Sequence, residues 1–177
     1  LGTYNVINTA VSHHVKRFIY LSSAAIYANP ATPYGISKKL AEETCKMFKN
    51  EIELLILRPF NLYGPGQNTT YNYVIHSFIK QIQQNRDVTI FGNGRQTRDF
   101  IYIDDFVNIL ETMLNTPVYP FPIDVGTGKA IAINDLASLL GKILKKDIKL
   151  KFLPQRKEPY RSKANITRLQ KIGIKPA

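Results

Sequence analysis

Tyr34 and Lys38 stand four residues apart in Tyr34-Gly35-Ile36-Ser37-Lys38. On a helix that interval puts a phenol and an ammonium on one face, within reach of the same substrate atom. A cation beside a phenol, or a positively charged ligand over it, favours the phenolate, which is a general base. The spacing alone is common, and the segments on either side give it meaning. Upstream, Phe18-Ile19-Tyr20-Leu21-Ser22-Ser23-Ala24-Ala25-Ile26-Tyr27 runs from apolar residues into hydroxyls, so that Ser23 can hydrogen-bond the same substrate oxygen. Downstream, Leu57-Arg58-Pro59-Phe60-Asn61-Leu62-Tyr63-Gly64-Pro65-Gly66 ends a second apolar run in a glycine-rich loop.

The elements that must hold these groups can be read from period and punctuation. Lys16-Arg17 is a charged helix exit, and Phe18 to Leu21 is a short buried strand stopped by Ser22 to Ala25. Leu40, Ala41, Thr44, Cys45 and Phe48 fall three and four apart, which predicts a helix over Tyr34 to Asn50. Glu53 to Leu57 is the next strand, ended by Pro59, and Asn61 to Asn68 reads as a breaker-rich loop. An amphipathic helix is expected from Val74, strands at Val88 to Phe91 and Phe100 to Ile103, and a helix whose first turn carries Asp104 and Asp105. Phe121 to Val125 is another strand, Asn134 is expected to cap a helix, and Ile148 to Phe152 alternates with lysines as an exposed-edge strand does. This alternation predicts an α/β fold with a largely parallel sheet, whose ligands bind beyond the C-terminal strand ends.

Composition narrows the function classes. The chain has 177 residues, 44% of them hydrophobic, enough for one substantial core. Cys45 is the only cysteine, so no disulfide framework is possible, and a buried thiol in a reducing, cytoplasmic setting is expected. No apolar run approaches the roughly 18 residues of a membrane span, and no secretion signal opens the chain, so a protein without a membrane partner is expected. Val6, Ile7, Ala10 and Val11 are already at helical spacing, and the sequence reads as opening inside a helix. The net charge of +11 is concentrated between Lys142 and Lys175 and reads as a solvated face. A nucleic-acid partner is not expected, because no stacking platform of aromatics accompanies the charge. His13 and His14 sit at a helix end, and with Cys45 they form no ligand cluster, so no metal is expected.

With its three segments in order, the chain resembles the extended short-chain dehydrogenase/reductase family, in its NAD-dependent epimerase/dehydratase branch, from Gly2-Thr3-Tyr4-Asn5-Val6 to Lys175-Pro176. Thr97-Arg98-Asp99-Phe100-Ile101-Tyr102-Ile103-Asp104-Asp105 resembles the family's substrate-domain signature. The resemblance implies a Rossmann-like, mostly parallel sheet, incomplete at the N-terminus, with a small C-terminal substrate-binding α/β region. Residues 1–66 would be the C-terminal part of the NAD-binding domain and carry the Ser/Tyr/Lys site. Residues 67–177 would be mainly substrate domain, with 100–127 returning to the Rossmann sheet. It further implies Tyr34 as acid/base, Lys38 on the nicotinamide ribose, Ser23 orienting the sugar hydroxyl, and Pro59 against the nicotinamide of NAD. Asn61 would meet the substrate's diphosphate, Phe91 the nucleotide base, and Arg98 and Arg156 its phosphates. The structural alternatives are core packing for Phe91, a salt bridge to Asp104 or Asp105 for Arg98, and a solvated charge for Arg156.

The implied chemistry is hydride transfer from a sugar carbon to NAD through a keto-sugar, on a nucleotide-sugar, most simply a UDP-linked hexose serving cell-surface polysaccharide synthesis. Sugar dehydratases of this branch carry an acidic pair after the serine. Here those positions are Ala24 and Ala25, which favours a 4-epimerase over a dehydratase, although reductases share the alanines. Dimers pairing two helices are common in similar proteins, so a homodimer is compatible.

Three features depart from the pattern. The glycine loop G-x-x-G-x-x-G is not found, and since such a loop holds the pyrophosphate, NAD is expected to bind this stretch poorly. Only Ala28 to Pro33 separate Tyr27 from Tyr34, where relatives have a longer loop, and no final helix is read before Pro176-Ala177. A catalytically silent nucleotide-sugar-binding remnant is therefore the competing reading.

Overall fold

The computed structural model describes residues 2–28, 31–68, 73–116 and 122–176. Asn29 and Pro30 of the short loop between Tyr27 and Tyr34, and Phe121 of the strand read above, lie outside them. The chain begins with α1 (Gly2–Ser12), and His13, just past its end, places Nδ1 2.9 Å from the Thr9 carbonyl. Then come β1 (Arg17–Leu21), a 3-10 turn (Ala24–Tyr27), α2 (Pro33–Lys46), β2 (Glu53–Pro59) and β3 (Asn61–Tyr63). The second half has α3 (Val74–Gln83), β4 (Val88–Phe91), β5 (Thr97–Arg98), β6 (Phe100–Tyr102), α4 (Ile103–Asn115) and β7 (Ile123–Val125). It closes with β8 (Ile131–Ala132), α5 (Ile133–Leu144), β9 (Leu150–Leu153), β10 (Arg161–Ser162) and α6 (Thr167–Lys171).

Parallel pairing dominates, as the alternation of strand and helix requires. β1, β2 and β7 form one parallel sheet in that order, with Leu21 opposite Leu57 and Pro59 opposite Val125. β3 pairs with β6 and β4 with β9, both parallel, while β5 lies between parallel β10 and antiparallel β8. β2 shows why its sequence is continuously apolar. Successive side chains alternate across a strand, so Leu54 and Ile56 enter the core with Ile7, Cys45 and Phe48, while Leu55 and Leu57 enter the one with Phe106, Met113 and Val125. A third core joins Phe78 and Ile82 of α3 to Val88, Ile90 and the α5 residues Leu136 and Leu140.

Three local readings need correction. Asn61–Tyr63 is a strand rather than loop, because its backbone finds a partner in Phe100–Tyr102. Asn134 does not cap α5: the helix starts one residue earlier, after Ala132, with no side-chain cap. The Asn134 amide instead donates to the Asn93 carbonyl at 3.1 Å, next to Gly94, whose φ of 72° and lack of a side chain let the two segments meet. The chain also forms α6 near its end, seated on β7 through the fully buried Leu169. Among the described residues no helix is long and apolar enough to cross a membrane.

Candidate active site

The Tyr34–Lys38 pair is positioned by α2. Thr32 caps this helix, its hydroxyl accepting from Gly35 N at 3.0 Å, and Pro33 sets the first turn. Tyr34 thus stands in the first turn, 55% exposed, facing the C-terminal end of β1. Lys38, one turn on, donates from Nζ to the Leu21 carbonyl at 2.8 Å and lies 5.8 Å from the centre of the Tyr34 ring and 5.2 Å from that of Tyr20. The cation is therefore tied to the strand end with the phenol beside it.

Ser23 reaches the same place from β1. Its Oγ accepts from Ala25 N at 3.1 Å and so starts the 3-10 turn, while its own hydroxyl proton stays available to a substrate oxygen. This turn packs directly on α2 at Gly35. A side chain there would bring a Cβ within 2.4 Å of the Ala25 carbonyl oxygen, so glycine lets the serine and tyrosine segments approach.

Ser23, Tyr34, Pro59, Asn61, Phe91, Arg98 and Arg156 all line one cavity of about 660 Å3. Lys38 is not among the lining residues; it stands behind Tyr34. The cavity lies beyond the C-terminal ends of β1 and β2, where an open parallel sheet gathers its ligand groups. Asn61 uses its amide to donate to the Asp99 carbonyl at 2.7 Å, leaving its own oxygen free of that bond. Phe91 ends β4, and the guanidinium of the exposed Arg156 lies 3.4 Å from its ring centre, a cation-π contact. Arg98 is buried and paired with Glu158, Nη2 to Oε2 at 2.6 Å, while Nη1 donates to the Thr97 carbonyl. The salt bridge considered for Arg98 at Asp104 or Asp105 is thus made to Glu158 instead, because the strand containing Thr97 and Arg98 runs beside β10 and its approach.

A polar chain supports the site from behind. Glu42, on the same face of α2 as Tyr34 and Lys38, receives Arg58 Nε at 2.8 Å, and Arg58 Nη1 donates to the Tyr27 hydroxyl at 2.6 Å. Tyr27 in turn donates to Asp124 Oδ1 at 2.8 Å. Burial, with the Asp124 hydrogen bond and charge, pushes the Tyr27 phenol up to about 12, so it stays protonated. Asp99, fully buried beneath Arg98 and Phe100, ties distant segments together: its carboxylate accepts from Thr127 N and Oγ1, Gly128 N and Ala164 N.

A model of the NAD dependent epimerase/dehydratase family matches residues 1–125. The chain belongs to this family. Among relatives of this epimerase/dehydratase chain, the UDP-glucuronate 4-epimerase of Thermodesulfobacterium geofontis is 30% identical over 168 residues, which cover 86% of this chain and 51% of the relative. The solved UDP-N-acetylglucosamine 4-epimerase of Methanobrevibacter ruminantium, in complex with UDP-N-acetylmuramic acid, is 30% identical with a TM-score of 0.90, covering 99% of this chain and 62% of that one. The UDP-glucuronic acid 4-epimerase of Bacillus cereus, in complex with UDP-glucuronic acid and NAD, is 31% identical with a TM-score of 0.86, covering 99% and 61%. The chain thus spans between half and two thirds of the length of these proteins.

Sequence reasoning missed Glu158 and Gln96, which both line the cavity of this family member. Gln96 is buried and donates to the Phe91 carbonyl at 2.6 Å. Neither had a local signal. Glu42 did have one, since it continues the four-residue interval of Tyr34 and Lys38.

Proposed function

We propose that this chain carries the acid/base and nucleotide-sugar-binding part of an NAD-dependent nucleotide-sugar 4-epimerase acting on a UDP-linked hexose. The observation that carries the reading is the meeting of Ser23 and Tyr34 with Asn61, Phe91, Arg98 and Arg156 in one cavity of a size suited to a small molecule. Residues 1–66 form the part of the NAD-binding domain that holds the Ser/Tyr/Lys site, and 67–177 serve mainly the substrate, with 100–127 returning to the first sheet. The pairing of β7 with β2 supports that division.

The residues present fit the nicotinamide end of NAD. An ammonium has three donors, and Lys38 commits one of them to Leu21, leaving others for ribose hydroxyls beside Tyr34. Pro59, at the end of β2, lines the same cavity. When bound, NAD would supply the acceptor, and then the donor, for the hydride exchanged with the sugar carbon. Tyr34 removes the hydroxyl proton as the keto-sugar forms and gives it back afterwards. Ser23 holds that oxygen, and the positive charge of Lys38 favours the phenolate. Arg98 and Arg156, with the second amide N–H of Asn61, meet the diphosphate, and the base lies by Phe91.

An epimerase fits better than a dehydratase because Ala24 and Ala25 offer no carboxylate, and the nearby acids are engaged, Glu42 by Arg58 and Asp124 by Tyr27. The test is conversion of UDP-glucose by the purified protein with NAD added. Tyr34→Phe should lower kcat by about 100-fold or more. UDP-sugar binding with no turnover in the parent protein would instead support a silent binding remnant.

A further inference from the structure

A second cavity, of about 570 Å3, shares the Phe60 wall with the first and lies against the last part of the chain. Arg58, Arg161, Lys163, Arg168 and Lys171 line it, with Asp124 as the one carboxylate among the described lining residues. Of the two inner charges, that of Arg58 is balanced where it stands. Arg58 is paired with Glu42, and Asp124 accepts from the Tyr27 hydroxyl on one oxygen and from Asn165 N on the other. Arg168 donates to the Pro122 carbonyl. Arg161, Lys163 and Lys171 have no side-chain hydrogen bond or ion pair with any described residue.

These three cations come from β10, the segment after it and α6, yet they converge on one hollow. On a convex solvated face like charges diverge into water. In a concavity with protein on several sides their potentials add and draw in an anion. The single carboxylate of Asp124 offsets one of these charges, and the lining stays net positive. A guanidinium grips phosphate oxygens with a planar fork, and ammonium groups serve as point charges beside it.

We propose that this cavity binds a small polyphosphorylated anion through Arg161, Lys163 and Lys171, at a site separate from the nucleotide-sugar cleft. The volume suits a small ligand rather than an extended polymer. The inference does not depend on the epimerase reading, since it concerns a different set of side chains.

The experiment is calorimetric titration of the 177-residue protein with tripolyphosphate at an ionic strength of about 0.1 M, where screening acts over about 10 Å. One-to-one binding is expected, weakened at least tenfold in the Lys163→Ala/Lys171→Ala double variant. The Lys149→Ala/Lys151→Ala double variant removes the same charge from exposed positions on and beside β9, outside both cavities, and should bind as the parent does. All four side chains are exposed, and circular dichroism checks that each variant is folded. Absence of saturable binding, equal weakening in the two double variants, or tighter binding of a single-stranded RNA oligonucleotide than of tripolyphosphate would each overturn the proposal.

Discussion

Arg58 and Glu42 meet inside the protein as a two-point ion pair, Nε to Oε1 at 2.8 Å and Nη2 to Oε2 at 2.5 Å. The Glu42 side chain is 1% exposed and that of Arg58 16%, so the carboxylate cannot turn to water for compensation. Removing one partner of a buried pair strands the other. Glu42→Gln is expected to lower stability by about 3 kcal/mol, read as a fall in the urea midpoint. An unchanged midpoint would mean that the pair only breaks even.

The same carboxyl sets a pH dependence. Burial alone raises its pKa, but the hydrogen bonds from Arg58 and the Arg58 charge outweigh that, so it stands below its ordinary value of 4.5. A depressed acid contributes its stability in full above the unfolded value and loses it as pH falls through the folded one. The stability gap between the parent and Glu42→Gln should therefore stay wide down to about pH 4.5 and close below it. Denaturant melts at a series of pH values read this directly, and a gap that closes above 4.5 would contradict the assignment.

Gly35→Ala tests the contact between the serine turn and the tyrosine helix. The new Cβ would lie 2.4 Å from the Ala25 carbonyl oxygen and 3.2 Å from the Thr32 hydroxyl, so backbone must shift. An overpacking cost of roughly 1–3 kcal/mol is expected, together with greater exchange of the Ala25 and Ala28 amides in the turn. Exchange unchanged from the parent would show that the turn does not rest on α2.

Cys45 is fully buried, and burial with the nearby Glu42 charge pushes its thiol up to about 11. Reaction requires an accessible thiolate. In the folded protein a disulfide reagent should label Cys45 far more slowly than in urea, with the native rate following global unfolding. Rapid native labelling would show that α2 opens locally around it.

Much of this arrangement was legible because the sequence repeats its cues locally. The four-residue interval of Tyr34 and Lys38 needs only a helix, and the run Leu54 to Leu57 needs only a strand covered on both faces. The failures share a cause: their partners are far away in sequence. Arg98 meets Glu158 sixty residues on, Tyr27 meets Asp124, and Asn61–Tyr63 becomes a strand only because Phe100–Tyr102 lies alongside. Asn134 was a reasonable cap by residue type, but pairing of Ile131 and Ala132 with β5 fixes where α5 starts, and its side chain serves the Asn93 turn instead. Asp99 looked like one acid of a signature, and only the folded chain shows four donors aimed at it.

β1 hydrogen-bonds to β2 on one side, and among the described residues no strand lies along the other. A parallel strand with one bare edge presents a row of amide donors and acceptors that any extended chain can complete. Among the described residues, β1 therefore offers a templating edge that ends beside Tyr34. Concentrated solution would favour edge-to-edge stacking that covers Ser23 and Tyr34.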